Sequence, residues 1–455
     1  MSRSSSLLLL GLLTLTAPVH GDDLMTSWQA AREYDANFAA AQDTLAAGLE
    51  QANQAMASVL PRLDLAGSGE HRDEDYRSGN AAEKASDRTS GRITGWSVSL
   101  SQPIYDANAF ADRAQFLKGA DRARIAFRIA EQDLILRTTQ ACFDVLLAQN
   151  NLTLVRAQKD AISQQLAQAK KTFALGISTI TDTDEAQARY DTTIAAEIAA
   201  RSDLQVKAAA YTNLTGLDPG QLRTLGDATP PIDPPRDTLA ALLEQAEHNN
   251  LQLRAEQLGL DIANAEIDRY RLSHSPVVAL IASYGHDIED GSISSSGWRD
   301  RTDTGIVGVQ VTVPLFSGGA RQSRLRQAQA SANASANTFE ALRRDVRLQT
   351  QQFYLDVVSG AARLRALDQA RISGASALQS SKTGRDVGVR TTLDVLNAEQ
   401  SYYQTLYERT SARYQYLFSR LQLAASLGGL TEQQLAAVNS WLDSPPYTPP
   451  AETLP

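Results

Sequence analysis

The chain repeats itself at a spacing of about 212 residues, and this duplication limits what it can fold into. Pro103 and Pro314 each follow an alternating apolar segment, and they stand 211 positions apart. Gly176 and Gly388 stand in matching turn motifs 212 positions apart. A repeat that covers most of a 455-residue chain predicts two copies of one supersecondary unit rather than a single large core.

Three long stretches contain no proline, which is excluded from helix interiors. In the first of them, apolar residues recur at alternating steps of four and three, the heptad pattern of a coiled coil. We predict long helices at 106–174 and 182–215 in the first repeat and at 318–386 and 394–427 in the second. At 1.5 Å per residue the first of these would reach about 100 Å, far more than a bilayer crossing, so it should stand in water. The narrow apolar seam favours a larger assembly, with an ordinary helical bundle as the alternative.

Short segments with alternating apolar and polar residues flank the long helices. They predict strands at 62–72 and 92–102 in the first repeat and at 277–287 and 303–313 in the second. Membrane barrels begin at about eight strands, and an open sheet edge in lipid leaves backbone groups unpaired. The strands are therefore either soluble hairpins or parts of a barrel shared by two or three copies.

The N-terminal residues predict export. Arg3 and a serine run precede the apolar stretch 7–15 and small residues up to Gly21, the order of a secretory signal peptide, which we place at 1–21. Cys142 is the only cysteine, so we expect no disulfide within the chain and no lipid anchor at the processed N-terminus.

Prolines also mark the connections. Four of them predict a stiff linker at 230–236. Five more mark a C-terminal tail at 436–455, which we expect to be extended or disordered. The first repeat then occupies 22–229 and the second 237–435.

Charge and motif content exclude several function classes. The net charge is −9, whereas a nucleic-acid-binding protein needs a concentrated basic surface. The histidines have no metal-ligand spacing, and no phosphate-binding loop or nucleophile motif is present. We expect neither an enzyme nor a bound cofactor.

The duplicated motifs resemble those of the TolC family of outer-membrane efflux and secretion ducts. The resemblance spans roughly 24–435 and rests on the twofold repeat, the segments 102–105 and 314–319, and the turn motifs that end in Asp182 and Asp394. It implies a mainly α protein with membrane β structure, in which a homotrimer forms a 12-stranded β-barrel continuous with a 12-helix periplasmic α-barrel and a mixed equatorial belt.

The resemblance also implies a location and partners. The protein would lie in the outer-membrane lipid with a large periplasmic domain, and it would dock to a periplasmic adaptor (membrane fusion) protein and to an inner-membrane ABC or other pump. The chain itself would be a passive channel.

A periplasmic gate near the helix turns is implied as well. Thr181 and Asp182 would lie opposite Arg390, and Asp394 would form an acidic ring in the pore. The alternative is that these threonines and aspartates only cap the following helices. Three positions depart from the best-known member: Asn397 replaces a second Asp, Arg385 replaces a Tyr, and Lys171 replaces a neutral amide. We expect the contacts of the closed state to differ accordingly.

The predicted function is the exit duct of a tripartite export system for type I protein secretion. Many drug-efflux members of the family carry a lipidated N-terminal cysteine, which this chain lacks, so the comparison favours protein secretion. Efflux of small molecules is the first alternative. A periplasmic coiled-coil adaptor that forms no pore is the second, and it would need no membrane strands.

Overall fold

The two halves of the chain contain the same series of elements. The computed structural model describes residues 22–77, 86–226 and 237–442. The first half contains α1 (Leu24–Tyr34), α2 (Ala36–Ala57), β1 (Arg62–Arg77), β2 (Ser86–Tyr105), α3 (Ala107–Ala174) and α4 (Ile180–Thr215). The second half contains α5 (Leu239–Asn249), α6 (Leu251–Arg271), β3 (Val277–Gly291), β4 (Arg299–Thr312), α7 (Ala320–Asp386), α8 (Thr392–Ser426) and a final α9 (Glu432–Asn439). The predicted fold class, mainly helical with two tandem repeats, is confirmed.

Some predicted segments lie outside the described residues, and one segment differs from its prediction. The signal peptide at 1–21, the linker at 230–236 and the last part of the tail, 443–455, are among the residues not described. The tail was predicted to begin at 436, yet α9 continues to Asn439. Leu435, Val438 and Leu442 are buried, so apolar packing keeps this stretch folded until the prolines begin.

The four strands form one antiparallel sheet in the order β1-β2-β3-β4. The two halves meet in this sheet, because β2 of the first half pairs with β3 of the second. The strands run further than predicted at their hairpin ends, where Asp73 pairs with Ser90, because the ladder depends on backbone groups rather than on apolar side chains. β2 also continues past Pro103, where the pairing register shifts because proline cannot donate to the ladder.

The register places apolar residues on one face of the sheet. Residues paired across an antiparallel sheet point to the same side, and one such row contains Leu63, Leu100, Ala282 and Val307. The adjacent row, which points to the opposite side, contains Asp64, Ser99 and Ser283, followed by Ile306. Val307 is 80% exposed. The sheet therefore presents an exposed face that is mostly apolar and a second face that is mostly small and polar.

Among the described residues, no helix is both long enough and apolar enough to cross a membrane.

The chain divides into two compact units. One contains the sheet and is made of Ala41–Ile129 and Leu251–Val346. The other contains Ala130–Asn250 together with the described residues before 41 and after 346. In this second unit the core includes large, fully buried side chains from α1, α3, α4, α8 and α9, namely Leu24, Leu134, Tyr211, Leu417 and Leu435.

The predicted apolar seam is largely buried in the second unit. Ile162, Leu166 and Ala169 of α3 pack with Ala186 of α4 and Leu396 of α8. Cys142 is also buried, and burial raises the pKa of its thiol to about 12. It is a small core residue.

Candidate functional site

The candidate site lies at two helix turns, one between α3 and α4 and the other between α7 and α8. Gly176 and Gly388 have φ angles of 73° and 79°, in the left-handed region that favours glycine. The two turns have the same hydrogen bonds: Ile177 N donates to Thr172 O at 2.9 Å, and Val389 N donates to Gly384 O at 2.9 Å. This is the usual glycine-terminated end of a helix, and it occurs in both repeats.

Each turn is followed by a capping box. Thr179 is the N-cap of α4, and Asp182 Oδ2 accepts from Thr179 N at 3.1 Å while Asp182 N donates to Thr179 Oγ1 at 3.3 Å. Thr391 and Asp394 make the same contacts at the start of α8, at 2.9 and 3.1 Å. The helices therefore begin two residues before the predicted starts at 182 and 394, because the threonine, not the aspartate, is the N-cap.

Arg390 lies beside Asp394 rather than beside the first turn. Its Nη1 is 3.8 Å from Asp394 Oδ1, and its side chain is 59% exposed. The hydrogen bonds from Thr391, first from its backbone, hold the pKa of Asp394 below its usual value, and Arg390 adds to this effect. Within the described part of one chain, no hydrogen bond or ion pair joins Arg390 to Thr181 or Asp182.

The three departures from the family pattern have different surroundings. Arg385 on α7 donates to Gln165 on α3 and pairs with Asp386 at 2.9 Å. Asn397 Oδ1 accepts from Arg189 Nη2 on α4 at 3.0 Å. The side chain of Lys171 is exposed in the last turn of α3.

Arg189 is a residue of this site that sequence reasoning missed. Its second guanidinium nitrogen donates to Gln400 at 2.6 Å, so one side chain joins α4 of the first repeat to α8 of the second. Arg189 lies seven positions, two helical turns, after Asp182. That heptad spacing is the signal that could have placed it on the same side of α4.

Two further contacts recur at the 212-residue spacing. In the first repeat Lys170 Nζ donates to Gln187 Oε1 at 3.1 Å, and the equivalent pair Lys382 and Glu399 in the second repeat is separated by 3.5 Å. Farther from the turns, the half-buried ion pair Arg156–Glu197 has its counterpart in Asp368–Arg409, with the charges exchanged. Alignment of the two halves could have found both contacts.

These contacts are structural links between helices. Within the described residues, no group of three or more His, Cys, Asp or Glu side chains is arranged to hold a metal ion. The site can hold helices together and can present charge at the turns.

The family model described as "Outer membrane efflux protein" matches residues 28–217 and 242–429. The chain belongs to the outer membrane efflux protein family. The two matched segments coincide with the two repeats. As an outer membrane efflux protein of the TolC type, the chain is an outer-membrane channel with a large periplasmic domain, and the alternative of an adaptor without a pore does not agree with this membership.

Individual relatives match along nearly their whole length. The chain is 32% identical to outer membrane protein TolC of Vibrio cholerae, over 94% of this chain and 96% of the relative. It is 30% identical to the proteases secretion protein PrtF of Dickeya chrysanthemi, over 98% of this chain and 96% of the relative. The solved structure of the outer membrane protein VceC from Vibrio cholerae has the same fold, with a TM-score of 0.74 at 18% identity and with 89% of this chain and 96% of that chain covered.

Proposed function

We propose that this outer-membrane channel is the exit duct of a tripartite export system and that it serves type I secretion of a protein. The supporting observation is the match to the proteases secretion protein PrtF, which includes both repeats and both helix turns. A periplasmic adaptor and an inner-membrane ABC or other pump would supply the energy, and the chain would supply the passage.

Three copies would complete the membrane part. In the described sheet, β1 and β4 are edge strands that pair on one side only. An edge strand in lipid leaves a row of backbone N–H and C=O groups unsatisfied, at several kcal/mol each. Pairing β4 of one copy with β1 of the next satisfies both edges, and three copies give a closed barrel of 12 strands. The exposed apolar face would then contact lipid and the polar face would line the pore.

The gate would form between copies. The side chain of Arg390 is 59% exposed, and among the described residues its one polar contact is the long one to Asp394. Thr181 is also exposed, and it lies beside Asp182 at the first turn. We therefore place Arg390 of one copy against Thr181 and Asp182 of the next, with Asp394 forming a ring around the pore. Asn397, Arg385 and Lys171 would modify this closed state, since Asn397 adds no charge and the other two add positive charge.

Efflux of small molecules is the second candidate, because the family model itself is described by efflux. The two functions are separated by deleting the gene in its own host and restoring it from a plasmid. Loss of a secreted protein from the medium, with unchanged susceptibility to dyes, detergents and antibiotics, is the result we expect. Increased susceptibility with normal protein secretion would contradict the secretion proposal and favour efflux.

A further inference from the structure

The equivalent contacts beside the two helix turns differ in one chemical group. Lys170 on α3 bonds to the neutral amide of Gln187 on α4. At the matching positions, Lys382 on α7 faces the carboxylate of Glu399 on α8, with 3.5 Å between Nζ and Oε1. Only the second repeat therefore has a titratable acceptor at this contact.

Glu399 is also the more deeply buried of the two acceptors. Its side chain is 1% exposed, while that of Lys382 is 34% exposed. Glu399 Oε2 is buried and has no hydrogen-bond partner among the described residues. A buried carboxylate that is ionised needs close ion pairs and hydrogen bonds to both oxygens. Here it has one long ion pair to one oxygen.

The charged groups around Glu399 do not compensate for this burial. Lys382 and Arg385 on α7 attract the carboxylate, but Arg385 is hydrogen-bonded to Gln165 and Asp386.

The other neighbouring helices add little positive charge that is free to act on Glu399. Arg189 on α4 is hydrogen-bonded to Asn397 and Gln400. On α8 itself, the phenol of Tyr403 is near Glu399. Asp160 on α3 acts on Tyr403 and is itself negative. Burial is the larger effect, and it raises the pKa of Glu399 above its ordinary value.

We propose that Glu399 makes the packing of α7 against α8 beside the second turn dependent on pH, with acid pH stabilising the packed helices. When the helices separate, water reaches the carboxylate and its pKa returns toward the ordinary value. Between the ordinary and the raised pKa, the packed state binds more protons than the separated state. Its stability is therefore highest at acid pH and falls as the pH rises through this window. The first repeat has Gln187 at this place and lacks the dependence.

Hydrogen–deuterium exchange on the purified full chain in detergent tests this proposal, because exchange of the backbone amides near Glu399 reports local separation of the helices. After correction for intrinsic exchange rates, peptides from the first turns of α8 should exchange more slowly at about pH 5 than at about pH 7.5, by about fivefold at least. The reason is that protonation removes the charge of one buried carboxylate that lacks hydrogen-bond partners. Peptides from the start of α4 serve as the internal reference and should show no such difference.

Two variants separate burial from charge. Glu399→Gln should abolish the pH difference and keep the slow exchange at both pH values. Gln187→Glu should create no pH difference in α4, because its contact with Lys170 is exposed and the new carboxylate stays hydrated. If Glu399→Gln does not assemble, Lys382→Met replaces it, and the pH midpoint should move upward because an attracting charge is lost.

The proposal is overturned if the wild-type difference is absent or equally present in α4. It is also overturned if the difference survives in Glu399→Gln, if Gln187→Glu acquires it, or if Lys382→Met leaves the midpoint unchanged.

Discussion

Asp182 and Asp394 each use one carboxylate oxygen to cap a helix, and the other oxygen remains able to meet a partner. Capping and gating are thus compatible at the same residue. The lowered pKa of Asp394 sets the pH range of its cap with Thr391 and of its contact with Arg390. The carboxylate contributes to stability above its ordinary pKa, and this contribution is lost as the pH falls through the lowered value. Both contacts are therefore intact at neutral pH.

Replacement of Arg390 by serine should raise the single-channel conductance of the purified protein. If three links between copies each contribute about 0.5 kcal/mol, their loss shifts an open–closed equilibrium by about tenfold. Asp182→Ala should have a similar effect. The conductance of the double variant should be close to that of either single variant, because each substitution alone already removes the same link. Arg390→Lys keeps the charge and is the control. Unchanged conductance in Arg390→Ser, or full additivity of the two changes, would show that the link does not exist.

A side chain at the turn glycine Gly388 should destabilise the turn between α7 and α8. A Cβ there would meet no atom within 4 Å, so the cost of Gly388→Ala is backbone strain alone, about 1 kcal/mol. The matched control is Gly374→Ala inside α7, where the nearest atom would be at an ordinary 3.6 Å and alanine favours the helix by about 1 kcal/mol. Amide exchange at the α7–α8 turn should become faster in the first variant and not in the second. Equal exchange in both would refute the assignment of strain.

At the level of helix pairs, the two repeats use the same positions with opposite charges. Arg156 on α3 pairs with Glu197 on α4 at 3.1 Å, and Asp368 on α7 pairs with Arg409 on α8 at 2.5 Å. Lys159 also donates to Glu197 at 2.6 Å, and this bond, followed by that of Arg156, lowers the pKa of Glu197. Pairing α4 with α7 instead would bring Glu197 near Asp368, so the charge pattern favours the observed helix pairs.

Charge reversal tests the second of these pairs. Arg409→Asp places like charges at Asp368 and should lower the melting temperature, and Asp368→Arg should do the same beside Arg409. The combination restores an ion pair with the opposite polarity and should recover about 1 kcal/mol of the loss, a value suited to a half-exposed pair. If the stability of the double variant equals that expected from adding the two single effects, the two side chains do not interact energetically.

The two faces of the sheet should respond differently to charge. Val309 pairs with Leu280 on the exposed apolar face, and its neighbour Gln310 points to the opposite side. Val309→Arg should reduce assembly in the outer membrane, because an arginine facing lipid costs about 2–4 kcal/mol at mid-depth. Gln310→Arg is the matched control and should assemble normally. Comparison of heat-modifiable protein in outer-membrane fractions measures the effect, and equal assembly of both variants would contradict the assignment of the faces.

Long elements could be predicted from the sequence far better than side-chain partners. The helices follow from the absence of proline and from heptad spacing, and the turns follow from Gly176 and Gly388, because these depend on local rules. The contact of Arg189 with Asn397 depends on which helices are neighbours. The contact of Arg390 with Asp394, four positions along the chain, depends on the rotamer of an exposed side chain. Thr179 and Asp182 are both residue types that cap helices, so only the backbone geometry could assign the cap.

For the whole molecule, the number of strands sets the main constraint. One chain provides four strands in the described sheet, with β1 and β4 at its edges. Each repeat contributes one hairpin, and the two hairpins are joined into one sheet because β2 pairs with β3. In the proposed barrel, further copies pair the outer strands, and the proposed gate and pore both depend on those copies.

Native mass spectrometry of the protein extracted from outer membranes in detergent counts the copies directly. We predict a single dominant species with three processed chains, because three chains supply 12 strands and close the barrel. The species should persist as detergent is removed in the gas phase, since the edges are joined by backbone hydrogen bonds. A stable species of one or two chains, with no three-chain species at any concentration, would contradict the shared barrel and, with it, the gate between copies.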